Sequence, residues 1–150
     1  AIDFNRCVEL WDRSAKQGLV EAQKSLGNMY RLGSRDGPPM TIPVNPQLGF
    51  RWCLAAAKQE NVKAMNNVSG AYYTGRGVER NLESAFEWCM KAAEIGDLTA
   101  QCNLGLCYYN GIGCETDLVK AMHWYQKSST QGLQQAIDAV ERLNNNQLNE

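Results

Sequence analysis

A chain of 150 residues, 44% of them hydrophobic, has the length of one ordinary domain and enough apolar material for a continuous core. Fifteen basic residues stand against sixteen acidic ones, for a net charge of −1 and no basic block, so phosphate-driven nucleic-acid binding has little support. No apolar run approaches the roughly 18 residues of a membrane span, and no charged-then-apolar leader is visible, so neither membrane insertion nor a signal peptide is expected.

The chain starts at Ala1 rather than Met, so it reads as an excerpt or a processed product from which a targeting segment could have been removed. Six cysteines invite a disulfide framework, but their spacing argues against one. Cys53 and Cys89 share one repeat position, Cys102, Cys107 and Cys114 crowd a single stretch, Cys7 stands apart, and no C-x-x-C occurs. They read as reduced, buried, small apolar residues, which favours a reducing, cytoplasmic compartment.

Self-similarity frames the elements. Trp52, Trp88 and Trp124 recur every 36 residues, as do Ala64, Ala100 and Ala136. Periods of 20–50 residues point to stacked supersecondary units. Residues 4–18 read as the second helix of a unit, with Leu10 in the Trp position and Trp11 one place later. The first full unit, about 19–60, begins with the stripe Ala22, Leu26, Gly27 and Tyr30. Its inter-helix loop, residues 34–47, carries a six-residue insertion relative to the next unit and holds all four prolines. Such an insertion lies near a binding face or is a spacer; the sequence leaves both open.

The second unit, about 61–96, repeats the plan. Ala64, Val68 and Tyr72 share a face, Gly75-x-Gly77 turns, Asn81 caps, Leu82, Ala85 and Trp88 form the next stripe, and Gly96 stops it. In the third, about 97–132, the stripe is Ala100, Leu104, Gly105 and Tyr108. The turn is Gly111-x-Gly113, and Asp117 caps a helix carrying Leu118, Ala121, Met122, Trp124 and Tyr125. Small residues at Ala85, Ala92, Ala100, Gly105 and Ala121 permit close helix approach, with Trp and Tyr filling the space beside them. A last helix is expected at about 133–143, and residues 144–150 read as a polar, disordered tail. No alternating strand pattern occurs, so the fold class is all-α, a solenoid of antiparallel helix pairs.

The segments AQCNLGLCYYNGIG with DLVKAMHWYQKSSTQG, and AMNNVSGAYYTGRG with NLESAFEWCMKAAEIG, carry a further implication. Their common pattern resembles the Sel-one-like repeat (SLR) family, cousins of the tetratricopeptide repeats, over roughly residues 4–143. Ser69 in a Gly position, Glu60 in the terminal Gly position, Gly49 in an Ala position and the inserted loop depart from it. The resemblance implies a right-handed superhelix and adaptor work within protein complexes. The cysteine-rich branch of that family has disulfides near the unit junction. Ala93 and Gln101 stand there in this chain, so those pairings are not expected.

If first helices line the inner, concave wall, as the resemblance implies, one row of positions faces a partner. It runs Lys24, Asn28 and Arg31, beside Glu21; then Lys63, Asn66 and Tyr73, beside Gly70; then Cys102, Leu106 and Tyr109, beside Thr99; then Asp138 and Arg142. Tyr73 and Tyr109 are the candidate anchors, because Tyr72 and Tyr108 already fill the structural position and interface energy concentrates in aromatics and Arg. The alternative for both is packing on the next unit's loop.

Other motifs carry less. His123, the only histidine, reads as an exposed helix residue with no positioned nucleophile or carboxylate, and one histidine with scattered thiols makes no zinc site. Asn67–Val68–Ser69 is a formal glycosylation sequon inside a helix beside core Val68. The paired glycines lack the strand of a phosphate loop. Glu83, Glu87 and Lys91 form a solvated outer face.

The sequence thus predicts a non-enzymatic scaffold or adaptor that binds a peptide or helix of another protein, with no cofactor and no metal. Alternatives are a regulatory subunit docking on an enzyme, a structural spacer in a longer array, and a weak β-lactam-type hydrolase, as proposed for the cysteine-rich relatives. No Ser-x-x-Lys with supporting partners is present for the last. Oligomeric state is left open.

Overall fold

The structure, a computed structural model, describes residues 4–33 and 44–147, with side chains for 8–33 and 44–145. The inserted loop therefore lies outside the described residues over 34–43, as do the Cys7 side chain and residues 148–150. Eight helices and no strand occur among the described residues: α1 (Phe4–Lys16), α2 (Val20–Leu32), α3 (Pro46–Ala57), α4 (Val62–Thr74), α5 (Leu82–Ile95), α6 (Leu98–Asn110), α7 (Leu118–Ser129) and α8 (Gln134–Gln147). They form two compact units that divide after Arg80. Within the first, α1 packs on α2, α2 on α3 and α3 on α4; within the second, α5 packs on α6, α6 on α7 and α7 on α8. This is the expected all-α solenoid construction from paired helices.

Helix boundaries follow from local chemistry. Asn45, Asn61, Asn81, Asp97 and Asp117 each cap a helix, the side-chain oxygen accepting from a backbone N–H three residues on at 2.8–3.0 Å. Each satisfies an otherwise orphaned donor and contributes about 1 kcal/mol. The position that ends the second helix of each unit requires a left-handed backbone, with φ of 89° at Gly18, 109° at Gly96 and 91° at Gly132. Glu60 departs from glycine there yet adopts φ 62° all the same, so the substitution leaves the turn in place and stores strain.

The core is built mainly from small side chains. Ala56, Ala64, Val68 and Leu26 are fully buried in the first unit; Ala92, Ala93, Ala100, Leu104, Ala121 and Ala136 are in the second. Close approach is the result: a Cβ on Gly105 would lie 2.8 Å from the Tyr125 ring, and one on Gly27 2.5 Å from Cys53 Sγ. Gly49 is the departure that the family pattern left unexplained, and the geometry accounts for it. A Cβ there would sit 2.9 Å from the Arg31 nitrogen, so an alanine would push α3 from α2.

Aromatic residues fill the spaces beside this spine. Phe50 meets Tyr72 edge-on at 5.2 Å and 82°, and Phe86 meets Tyr108 at 5.4 Å and 86°, one pair per unit at equivalent positions. The indoles of Trp52, Trp88 and Trp124 are half-buried. Lys91 stands over Trp88 at 4.5 Å and Lys127 over Trp124 at 4.8 Å, so an ammonium covers part of each ring.

At two junctions a buried glutamine replaces apolar packing. Gln23 Nε2 donates to the Ala15 carbonyl at 3.0 Å, and Gln101 Nε2 to the Ala93 carbonyl at 3.3 Å. The second bond ties α6 to α5.

The end of the chain requires a correction. The last helix runs to Gln147, so residues 144–147 of the expected polar tail are helical. Ala136 is fully buried, Val140 and Leu143 pack beside it against Cys102, Ala121 and Tyr125, and the helix they anchor carries the asparagines beyond Leu143 with it.

Candidate protein-interaction surface

The row of expected partner-facing residues divides between the two units, and the structure treats its members differently. In the first unit, Lys24 is half-buried and pairs with Glu21, while Lys63 is exposed. Asn28 is half-buried and accepts a hydrogen bond from Asn67 Nδ2 at 2.9 Å. Tyr73 is 46% exposed; the Arg80 guanidinium lies 5.9 Å over its ring, and Arg80 Nε donates to its carbonyl at 2.9 Å.

Arg31 and Asn66 come together in a cavity of about 530 Å³ between α2, α3 and α4. Asn67, Thr74, Arg76 and Phe50 complete most of its wall. Arg76 Nη2 donates to the Arg31 carbonyl at 2.7 Å, which holds the Arg76 guanidinium against the Arg31 backbone. Helical spacing singles out neither Arg76, which falls between the turn glycines Gly75 and Gly77, nor Asn67, which stands out only as part of a sequon. The signal was available, because the position of Arg76 is occupied by Ile112 one unit later.

In the second unit, Leu106 is 44% and Tyr109 41% exposed. Together with Arg142 they border a cavity of about 290 Å³, completed mainly by Tyr125, Ala139 and Leu143. Asp138 is exposed, accepts from Gln134 Nε2 at 2.8 Å and does not line this cavity. Burial pushes the Tyr125 phenol up to about 12, with the Arg142 guanidinium opposing the shift, so this hydroxyl stays protonated at neutral pH.

Cys102 corrects the expected row. It is only 8% exposed and belongs to the core with Ala121, Tyr125 and Ala136. Its position on α6 turns toward α7 and α8, and α8 covers it. Among the described residues the free thiols are Cys53, Cys89, Cys102, Cys107 and Cys114. Cys89 is pushed up by its hydrogen bond with Cys107 and by burial, and burial raises Cys53 and Cys102. Cys53, Cys89 and Cys102 thus stay protonated thiols packed in the core, while the same hydrogen bond with Cys89 lowers Cys107. His123 is exposed and meets Trp124 edge-on at 5.6 Å.

Comparison with known proteins places this geometry in context. The family model for the Sel1 repeat matches residues 2–19, 20–61, 62–97 and 98–133. Among solved structures, a Sel1 repeat protein from Oxalobacter formigenes is 31% identical, with a TM-score of 0.77 over 91% of this chain and 98% of that one. A protective antigen of uropathogenic Escherichia coli displaying an SLR fold is 29% identical, with a TM-score of 0.80 over 89% of this chain; the match spans only 27% of the antigen's length. Cysteine-rich protein B of Helicobacter pylori shares the fold at 18% identity, with a TM-score of 0.67 over 91% of this chain and 94% of that one. No curated protein matches the sequence.

Proposed function

Because this chain belongs to the Sel1 repeat family, whose members are generally protein-interaction scaffolds, we propose that it is a non-enzymatic scaffold holding a peptide or helix of another protein, with Tyr73 in the first unit and Tyr109 in the second as anchors. The observation that carries this reading is the paired exposure of Tyr73 and Tyr109. They occupy equivalent positions one period apart and are 46% and 41% exposed, while their neighbours Tyr72 and Tyr108 are engaged by Phe50 and Phe86. A fold that needed these second tyrosines for packing would bury them. Exposed aromatic rings supply contact area at low entropic cost, and such residues concentrate interface energy.

Each unit also offers a cavity beside its row, polar and cationic in the first and apolar with Arg142 at its edge in the second. Side-chain pockets of unlike chemistry give a scaffold selectivity for one sequence over another. A photoreactive phenylalanine analogue placed at position 73 or 109 tests the surface. The reading predicts cross-links from both positions to the same partner polypeptide. Cross-links from Glu87 on the outer face, with none from 73 and 109, would contradict it.

A further inference from the structure

We infer that the cavity of the first unit is a carboxylate-recognition site, which receives a carboxylate of the partner peptide; this rests on the scaffold reading and specifies what one part of the scaffold grips. Two guanidiniums, Arg31 and Arg76, line the cavity, and among the described residues no acidic side chain does. Neither arginine enters an ion pair among the described residues, where the pairs are Lys16–Asp12, Lys24–Glu21 and Lys120–Asp117. Arg31 Nε is buried there without a hydrogen-bond partner. Two cations lining one cavity without a counter-charge among the described residues repel each other, and a buried donor left unpaired is costly. An anion that accepts from both removes both penalties.

The site is held in place before any ligand arrives. The Arg31 backbone is pinned against Gly49 on one side and receives the Arg76 guanidinium on its carbonyl at 2.7 Å. Asn67 is tethered to Asn28 at 2.9 Å, and Thr74 Oγ1 to the Gly70 carbonyl at 2.8 Å. Arg76, Asn67 and Thr74 therefore have little side-chain freedom to lose on binding. Guanidinium forks match a carboxylate with two parallel hydrogen bonds, and the carboxamides of Asn66 and Asn67 on the same wall match the peptide group next to it.

The fold itself does not require these cations. The position of Arg31 is Tyr73 and then Tyr109 in the next two units, and that of Arg76 is Ile112. Equivalent helix pairs form with tyrosine and isoleucine there, so the helix pair alone does not call for two arginines at this one place.

The test uses the whole chain and small probes. ¹H–¹⁵N spectra are recorded while adding N-acetyl-alanyl-alanine, its C-terminal amide, or a blocked peptide, N-acetyl-alanyl-glutamate amide, whose only carboxylate is on the side chain. The backbone signals of Asn66, Asn67, Gly70 and Arg76 are expected to shift with one or both carboxylates and not with the uncharged amide. The responding acid identifies the source as a chain terminus or a side chain. Arg76→Gln, on the exposed turn, and Arg31→Gln are each expected to weaken binding by about tenfold or more. The inference is overturned if the uncharged amide shifts the same signals as strongly, if both substitutions leave the titrations unchanged, or if inorganic phosphate saturates the site at lower concentration. No partner protein enters this titration. A scaffold gripping only through Tyr73 and Tyr109 fails here and keeps its partner, whereas a site without a scaffold gives the reverse.

Discussion

At the residue scale, two positions carry stored cost that can be measured. Glu60 holds φ 62°, a conformation that costs an L-residue with a Cβ about 1–2 kcal/mol and glycine little. Glu60→Gly should therefore raise the denaturant midpoint, with an unchanged m-value and a gain of about 1 kcal/mol. An unchanged or lowered midpoint would mean that the Glu60 side chain compensates its own backbone. Tyr125 behaves oppositely with pH. Its phenol titrates near 12 in the fold against 10.0 as a free group, mainly through burial. Between those values the folded chain keeps a proton that the unfolded chain has released. The stabilisation is thus complete below pH 10 and is lost as pH rises toward 12. Thermal melts across that window should fall more steeply for the wild type than for Tyr125→Phe. Parallel curves would contradict the assignment.

At the element scale, the turns carry more than the sequence reading gave them. Gly113 takes φ 68°, and a Cβ there would lie 2.1 Å from the Leu82 carbonyl oxygen at the start of α5. Gly77 has the same relation to Pro46 at the start of α3. The second glycine of each turn is thus where a loop rests on a helix N-terminus. Gly113→Ala should cost at least about 2 kcal/mol, since backbone must move and φ is positive. Asn81→Ala, which removes one cap, should cost about 1 kcal/mol. Urea titrations of both variants check the order, and a larger loss for Asn81→Ala would contradict it.

The helices themselves were legible in the sequence. The 36-residue period, the Ala, Leu and Gly stripes and the cap residues Asn81 and Asp117 have local physical causes that composition and spacing reveal. What a position faces depends on neighbours that spacing alone does not supply. Cys102 belongs to the same helical row as Leu106 and Tyr109, yet α8 covers it and leaves them open. Arg76 falls between two turn glycines, and the group it bonds, the Arg31 carbonyl, lies 45 residues away in the chain. The tail was misplaced because the asparagines after Leu143 are weak helix formers on their own, and tertiary anchoring of α8 overrides that preference.

At the scale of the whole molecule, the chain presents two compact units of the same construction whose open surfaces differ in chemistry. A small-residue spine sets the spacing of the helices in each, and the surface positions are left to vary without disturbing it. Arg31, Tyr73 and Tyr109 share one repeat position, and Asn66 and Cys102 share another. That separation of frame from surface is how a repeat fold acquires selectivity for a partner. A partner that engages the first unit's cations should bind more weakly as salt rises, while one held by the tyrosines alone should not.

The central claim is that the exposed tyrosines hold a protein ligand. The direct measurement is the dissociation constant of the captured partner for the wild type and for the double variant Tyr73→Ala/Tyr109→Ala, with helix content checked by circular dichroism. Loss of at least about tenfold in affinity with helix content retained is the predicted result, because truncating aromatic anchors typically costs more than 1–2 kcal/mol each. Undiminished affinity in a fully helical double variant would contradict it.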